Sequence, residues 1–203
     1  MVKYDLIKPN MQTTTTWSGG TTTELAIYPK DSEYSKRNFK WRLSSATIDV
    51  DESTFTKLDG IWRYIMVIEG QLKLTHEEHH EVLLNSYEQD SFSGEWITYS
   101  KGRAKDFNLM LAEGYTGNLS ALEIKGEVNL FTPKMKKTNS NSTDDCFKAF
   151  YCVNGQISIA ISDDDEIKVM QGELLVIQYS DTLSIKISNK NDASTNLIIA
   201  EIF

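Results

Sequence analysis

Six side chains carry the chemistry that can be read most directly from this chain: Trp17, Glu24, Arg42, Ser44, Arg63 and Asn108. Arg42 and Arg63 each present a planar fork of donors that suits a carboxylate or phosphate and stays charged at any physiological pH. In Trp41-Arg42-Leu43-Ser44-Ser45-Ala46 the alternation of a strand puts Arg42, Ser44 and Ala46 on one face. Small residues beside an arginine suit a cavity wall, and the competing reading is an outward arginine in a surface ion pair. In Trp17-Ser18-Gly19-Gly20 the indole stands beside two glycines, either as the wall of a ligand-binding loop or as an aromatic packed at a bend. Asn108, in Asp106-Phe107-Asn108-Leu109-Met110-Leu111, offers donor and acceptor from one position; it orients a ligand amide or caps local backbone. Glu24 alone decides nothing.

Other polar clusters point elsewhere. The three histidines fall in Thr75-His76-Glu77-Glu78-His79-His80-Glu81, a wholly polar run that reads as a solvated loop in preference to a metal site. Asp163-Asp164-Asp165-Glu166 has neither the spacing nor the central glycine of an EF-hand and reads as a solvated turn. No Ser-His-Asp set, P-loop or Cys-x-x-Cys pattern occurs. Cys146 and Cys152, if they share one strand, lie about 20 Å apart and do not pair within it.

The elements that must position these residues are strands. Runs such as Thr22–Ile27, Trp41–Ile48, Tyr64–Ile68, Phe107–Leu111, Phe147–Cys152 and Leu197–Ile202 alternate or are β-branched, turn residues recur at short intervals, and no dozen residues keep a helical period. The fold class is all-β. Tyr64–Ile68, then Glu69-Gly70, then Gln71–Leu74 reads as a hairpin, and Phe147–Cys152, Asn154-Gly155 and Gln156–Ile159 repeat that pattern, so the chain is a weak tandem repeat. The predicted organisation is a first barrel over 1–132, a linker or mobile loop over 133–145 and a second, degenerate barrel over 146–203. The last stretch is short for a full barrel, which leaves the N-terminal strands available to complete it.

With 203 residues, 40% hydrophobic content and a net charge of -8, the chain can bury a core. The acidic balance argues against general binding of nucleic acid or an anionic membrane. No signal-peptide pattern opens the sequence and no run of about 18 apolar residues occurs, so the expected location is cytoplasmic.

In their order, Trp17-Ser18-Gly19-Gly20 with Thr23-Glu24-Leu25, Trp41-Arg42-Leu43-Ser44 with Ala46, Gly60 with Arg63, and Phe92-Ser93-Gly94 with Asp106-Phe107-Asn108-Leu109-Met110 resemble the HutD/Ves family of bicupins. The likeness covers about residues 5 to 112. It implies two jelly-roll (double-stranded β-helix) barrels, with a pocket in the first. In metal-binding cupins a Glu precedes the hairpin glycine by seven positions; counted back from Gly70, that place is Arg63, and the two His places fall at or beside Lys57 and Asp59. Ile97 stands where the second motif carries its His. The resemblance therefore implies a barrel without the usual metal ligands, with Arg63 facing inward on the same face as Ile65 and Val67. Glu24 is the candidate partner for its charge.

Two function classes follow. The first is a binding protein that senses or buffers a small anionic metabolite, which the resemblance narrows to a carboxylate of histidine degradation such as formylglutamate. The second is a metal-independent isomerase or hydrolase acting on a small carboxylate with Glu24 as general base. No cofactor is expected, and apolar sheet edges favour a homodimer.

Overall fold

The computed structural model describes residues 2–132, 146–162 and 166–203; the linker expected at 133–145 and the acidic run at 163–165 lie outside them. The described residues are all-β, with two single-turn 3-10 segments, Pro9–Met11 and Tyr34–Lys36. No helix among them is long and apolar enough to cross a membrane. The strands in chain order are β1 (Lys3–Ile7), β2 (Thr13–Trp17), β3 (Gly20–Tyr28), β4 (Trp41–Ile48), β5 (Glu52–Thr54), β6 (Ile61–Gly70), β7 (Leu72–His76), β8 (His80–Leu84), β9 (Gln89–Ser93), β10 (Thr98–Lys101) and β11 (Ala104–Ala112). These are followed by β12 (Gly117–Ile124), β13 (Gly126–Thr132), β14 (Cys146–Cys152), β15 (Gln156–Ile161), β16 (Ile167–Met170), β17 (Leu174–Tyr179), β18 (Leu183–Asn189) and β19 (Thr195–Ile202).

Two compact units result, one of residues 12–119 and one of residues 1–11 with 120–203. In the first, β4-β11-β6-β9 face β5-β10-β7-β8, and β3 and β2 extend the former sheet beyond β4. In the second, β12-β19-β14-β17 face β13-β18-β15-β16, and β1 adds to β17. Adding eight to each strand number converts one eight-stranded jelly roll into the other. The repeat is therefore complete. A second barrel over 146–203 alone, with the first running to 132, is replaced by a boundary near residue 119. β12 and β13 take in the second unit the places that β4 and β5 take in the first, and the N-terminal β1 pairs with β17 from Lys3↔Gln178 to Ile7↔Leu174.

The turn at Glu69-Gly70 also differs from the hairpin that its residues predict. β6 bonds to β11 and β9, whereas β7 bonds to β10 and β8, so the chain crosses from one sheet to the other. Asn154-Gly155 makes the same crossing between β14 and β15. A corner and a hairpin both ask for glycine's positive φ, and only the strand partners distinguish them. Gly70 has φ +86°, and a Cβ there would stand 2.5 Å from the carbonyl oxygen of Arg103, which immediately precedes its pairing partner Ala104 on β11.

The interiors are filled differently. In the second unit Phe150, Ile157, Ile159, Leu175, Ile185, Ile187, Leu197 and Ile199 close on one another with at most 3% exposure. In the first, Ile48, Ile65, Val67, Leu72, Leu74, Leu84 and Phe92 pack one end of the barrel, and Phe39, Leu58, Ile61 and Met110 form a smaller cluster. At about 1.5 to 3 kcal/mol for each large aliphatic side chain buried, these clusters hold the sheets together and leave the polar residues between them to be accounted for separately.

Gly70→Ala is predicted to cost about 1 to 3 kcal/mol, from forced positive φ and the clash with the Arg103 carbonyl. Urea unfolding measures it. A midpoint equal to or above that of the parent chain would remove the corner's need for glycine.

Candidate functional site

Register alone assembles the site. Across the β3-β4-β11-β6-β9 sheet, Thr22 pairs with Ala46 and Glu24 with Ser44; Ala46 pairs with Asp106, Ser44 with Asn108 and Arg42 with Met110; Met110 pairs with Arg63, and Arg63 with Phe92. Directly opposed residues share a face, so one inward face carries Glu24, Arg42, Ser44, Arg63, Asp106 and Asn108 from four neighbouring strands. A β-bulge between Glu24 and Ala26 lets Leu25 turn into the core at 3% exposure without displacing Glu24 from that face.

This face bounds a cavity of about 250 Å³. Trp17, Arg42, Ser44, Arg63 and Asn108 all line it, as do Thr15, Thr22, Asp106 and Met110 from the same sheet, Ser53, Thr54 and Phe55 from the β5 side, and Tyr34. The reading of Arg42, Ser44 and Ala46 as a cavity wall agrees with this geometry. Ser18-Gly19 forms the tight turn between β2 and β3, with Trp17 paired to Gly20. Thus Trp17 is a wall residue held at a hairpin end, and no separate ligand loop is needed.

Glu24 is the one expected residue that does not line the cavity, and its assigned partner changes. Its Oε2 accepts a 2.7 Å hydrogen bond from Arg42 Nε, while Arg42 Nη1 donates to Ser44 Oγ at 3.1 Å. Glu24 sits diagonal to Arg42 across adjacent strands, whereas β4 and β11 separate β3 from β6 by three interstrand spacings, about 14 Å. Glu24 therefore cannot neutralise Arg63. The Tyr34 ring lies 4.3 Å from Arg42 Cζ and supports it from the other side.

Arg63 is 7% exposed and short of acceptors. Its one hydrogen bond to a side chain is a long 3.5 Å contact from Nη2 to Asn108 Oδ1, and its buried Nε has no partner. Phe55 and Phe92 flank the guanidinium, with ring centroids 4.8 and 5.2 Å from Cζ. Burial pushes its pKa down to about 10, against the attraction of Tyr34 and Asp106, so it remains cationic at neutral pH. Asn108 mediates between opposite charges: its oxygen faces Arg63 and its Nδ2 donates to Asp106 Oδ1 at 2.5 Å. Asp106, 2% exposed, is driven by burial up to about 7, although Arg63, the Ala46 backbone and Asn108 all favour its ionised form. Asp106 and Tyr34 line the cavity beside the arginines and are not singled out by the sequence pattern. Asp106 shares the alternation of Asn108 and Met110 and could have been found from it; Tyr34 lies in a polar segment with no period.

The cupin-like metal positions hold no ligand set. Lys57 and Asp59 are exposed, Ile97 is 38% exposed, and Arg63 occupies the interior. The histidine run is not the solvated loop that its polarity predicts. It is a β7–β8 hairpin in which His76 is 2% exposed and bonded to Asp90 and Thr98. The strand alternation Leu72, Leu74, His76 continues inward across the polar residues, and that was the available signal.

A search of curated proteins found no match. Among solved structures, a conserved protein of unknown function from Pseudomonas aeruginosa PAO1 is similar over 98% of both chains, with 18% identity and a TM-score of 0.82. HutD from Pseudomonas fluorescens SBW25, determined in a formate condition, is 20% identical over 98% of both chains, with a TM-score of 0.70. YlbA from E. coli is 13% identical over 98% of this chain and 90% of that one, with a TM-score of 0.66. At these identities the likeness describes the fold, a double barrel of cupin type. The HutD family model matches residues 10–195, nearly the whole of the two-barrel chain, and the chain belongs to the HutD family.

Proposed function

We propose that the first barrel binds a small carboxylate between Arg63 and Arg42. The observation that carries this reading is the Arg63 guanidinium, buried with one long hydrogen bond and an unpartnered Nε beside a cavity of about 250 Å³. An inward cation with so few acceptors is costly, and a ligand carboxylate provides the missing ones. Glu24 already serves Arg42, and Asp106, titrating near 7, is only partly ionised at neutral pH, so the positive charge at Arg63 is the less compensated. At about 250 Å³ the cavity is at the small end of ligand pockets, which suits a compact acid. Trp17 supplies an apolar wall, and Asn108 and Ser44 offer polar discrimination. Family membership favours acids of histidine degradation, formylglutamate among them, in a sensing or buffering role.

Removing the fork in Arg63→Ala is predicted to weaken carboxylate binding by about 2 to 5 kcal/mol, and Arg63→Lys to recover only part of it. Calorimetry with formate, acetate and acyclic dicarboxylates measures this. Undiminished affinity in Arg63→Ala would show that the ligand binds elsewhere.

Binding should also take up a proton. An incoming carboxylate is a like charge for Asp106 and raises its pKa further, so the protonated carboxyl is the form that tolerates the ligand. Affinity is therefore predicted to rise as the pH falls from 8 to 6, by up to about tenfold for a group titrating near 7, and to be nearly flat in Asp106→Asn. Calorimetry in buffers of different ionisation enthalpy counts the proton. Affinity that rises with pH would contradict the linkage.

A second reading, proton transfer on a bound carboxylate, draws on the same group, because an acid poised near 7 beside a cation is suited to general acid–base work. Glu24, engaged by Arg42, is not the base in that reading. Incorporation of solvent deuterium next to the carboxylate, lost in Asp106→Asn, would favour catalysis; saturable binding without exchange favours the binding protein.

A further inference from the structure

A second cluster of ligating side chains lies outside the cavity, where β7, β8 and β9 meet. We infer that His76, His80 and Asp90 form a site for a divalent transition-metal ion such as zinc. The three residues bring one ligand atom each to within 4.8 Å of one another, the only such group of histidine, cysteine and acidic residues among those described. His76 and His80 are directly opposed in the hairpin register, so both imidazoles stand on one face. Asp90 Oδ2 lies 2.8 Å from His76 Nε2 and 3.0 Å from His80 Nε2. A tetrahedral zinc with bonds near 2.0 to 2.2 Å separates its ligand atoms by about 3.3 to 3.5 Å, so the imidazole nitrogens must draw away from Asp90 Oδ2 by about 0.3 to 0.7 Å, and all three ligand atoms already lie within 4.8 Å of one another.

The support that a metal site requires is present. His76 Nδ1 is 2.8 Å from Thr98 Oγ1 in a residue with no exposed surface; when that hydroxyl accepts the Nδ1 proton, the Nε2 lone pair is left facing Asp90. Phe92 packs on the His76 ring at 4.4 Å and Trp96 at 5.8 Å, forming an apolar surround, while the His80 side chain, 40% exposed, leaves a route from solvent. Two imidazoles and one carboxylate leave at least one coordination position open. The inference is independent of carboxylate binding at Arg63.

Untagged protein, stripped with chelator and titrated with cobalt(II), tests it through visible d–d absorption, and zinc competes for the same site. One equivalent per chain is expected, with affinity reduced at least tenfold in His80→Ala and in Asp90→Asn and retained in His79→Ala, whose ring stacks on Trp96 instead. Each variant is compared by far-UV circular dichroism and melting without metal. His80 is exposed enough for replacement to spare the fold, and the stoichiometry of the unsubstituted protein stands even if a variant does not fold. Less than one equivalent bound to that protein, or unchanged cobalt affinity in folded His80→Ala, overturns the inference.

Discussion

The guanidinium of Arg63, a permanent charge enclosed by a β-barrel, is the constraint around which the first unit is arranged. Isolated burial of such a group costs far more than one hydrogen bond returns, so its surroundings must supply compensation. Asn108 turns its oxygen to the cation, the faces of Phe55 and Phe92 flank it, and Asp106 contributes attraction across a distance longer than a salt bridge. None of these saturates the fork. The same enclosure that makes Arg63 expensive raises Asp106 to about 7, and the two shifts have one cause: each charged form is deprived of water, and the pair is not close enough to make up the loss.

That arrangement rests on a scaffold whose topology is repeated while its contents are not. In the second barrel the interior of the β12-β19-β14-β17 sheet is closed by Phe150, Leu175, Leu197 and Ile199. In the first, the corresponding sheet spends one inward face on arginines, serine, asparagine and aspartate. A polar face of that kind survives because Arg42 is paired with Glu24, Asn108 bridges Arg63 to Asp106, and the aliphatic cluster of Ile65, Val67, Leu72 and Leu74 retains enough buried area for packing.

Much of this was legible from residue types. The alternation through Arg42, Ser44 and Ala46 suggests a cavity wall, with an outward arginine as its competitor, and counting back from Gly70 on the family resemblance turns Arg63 inward. The misreadings have physical reasons. A two-residue glycine turn looks the same whether the chain folds back on its own sheet or crosses to the other, so Gly70 and Gly155 suggested hairpins where they make corners. The sequence offers Glu24 to Arg63 and not to Arg42, because it does not reveal how many strands intervene. Composition makes the run from Thr75 to Glu81 look like a loop, although the period of two from Leu72 carries His76 into the interior. Strand order, which depends on pairings between distant residues, was the quantity that local pattern could not deliver.

A crystal structure of the protein grown with formate or a small dicarboxylate bears most directly on the role assigned to the cavity. The account predicts density for a carboxylate within it, with an oxygen about 2.7 to 2.9 Å from a guanidinium nitrogen of Arg63. Ordered acid bound elsewhere, with Arg63 satisfied by the chain's own acceptors, would contradict it.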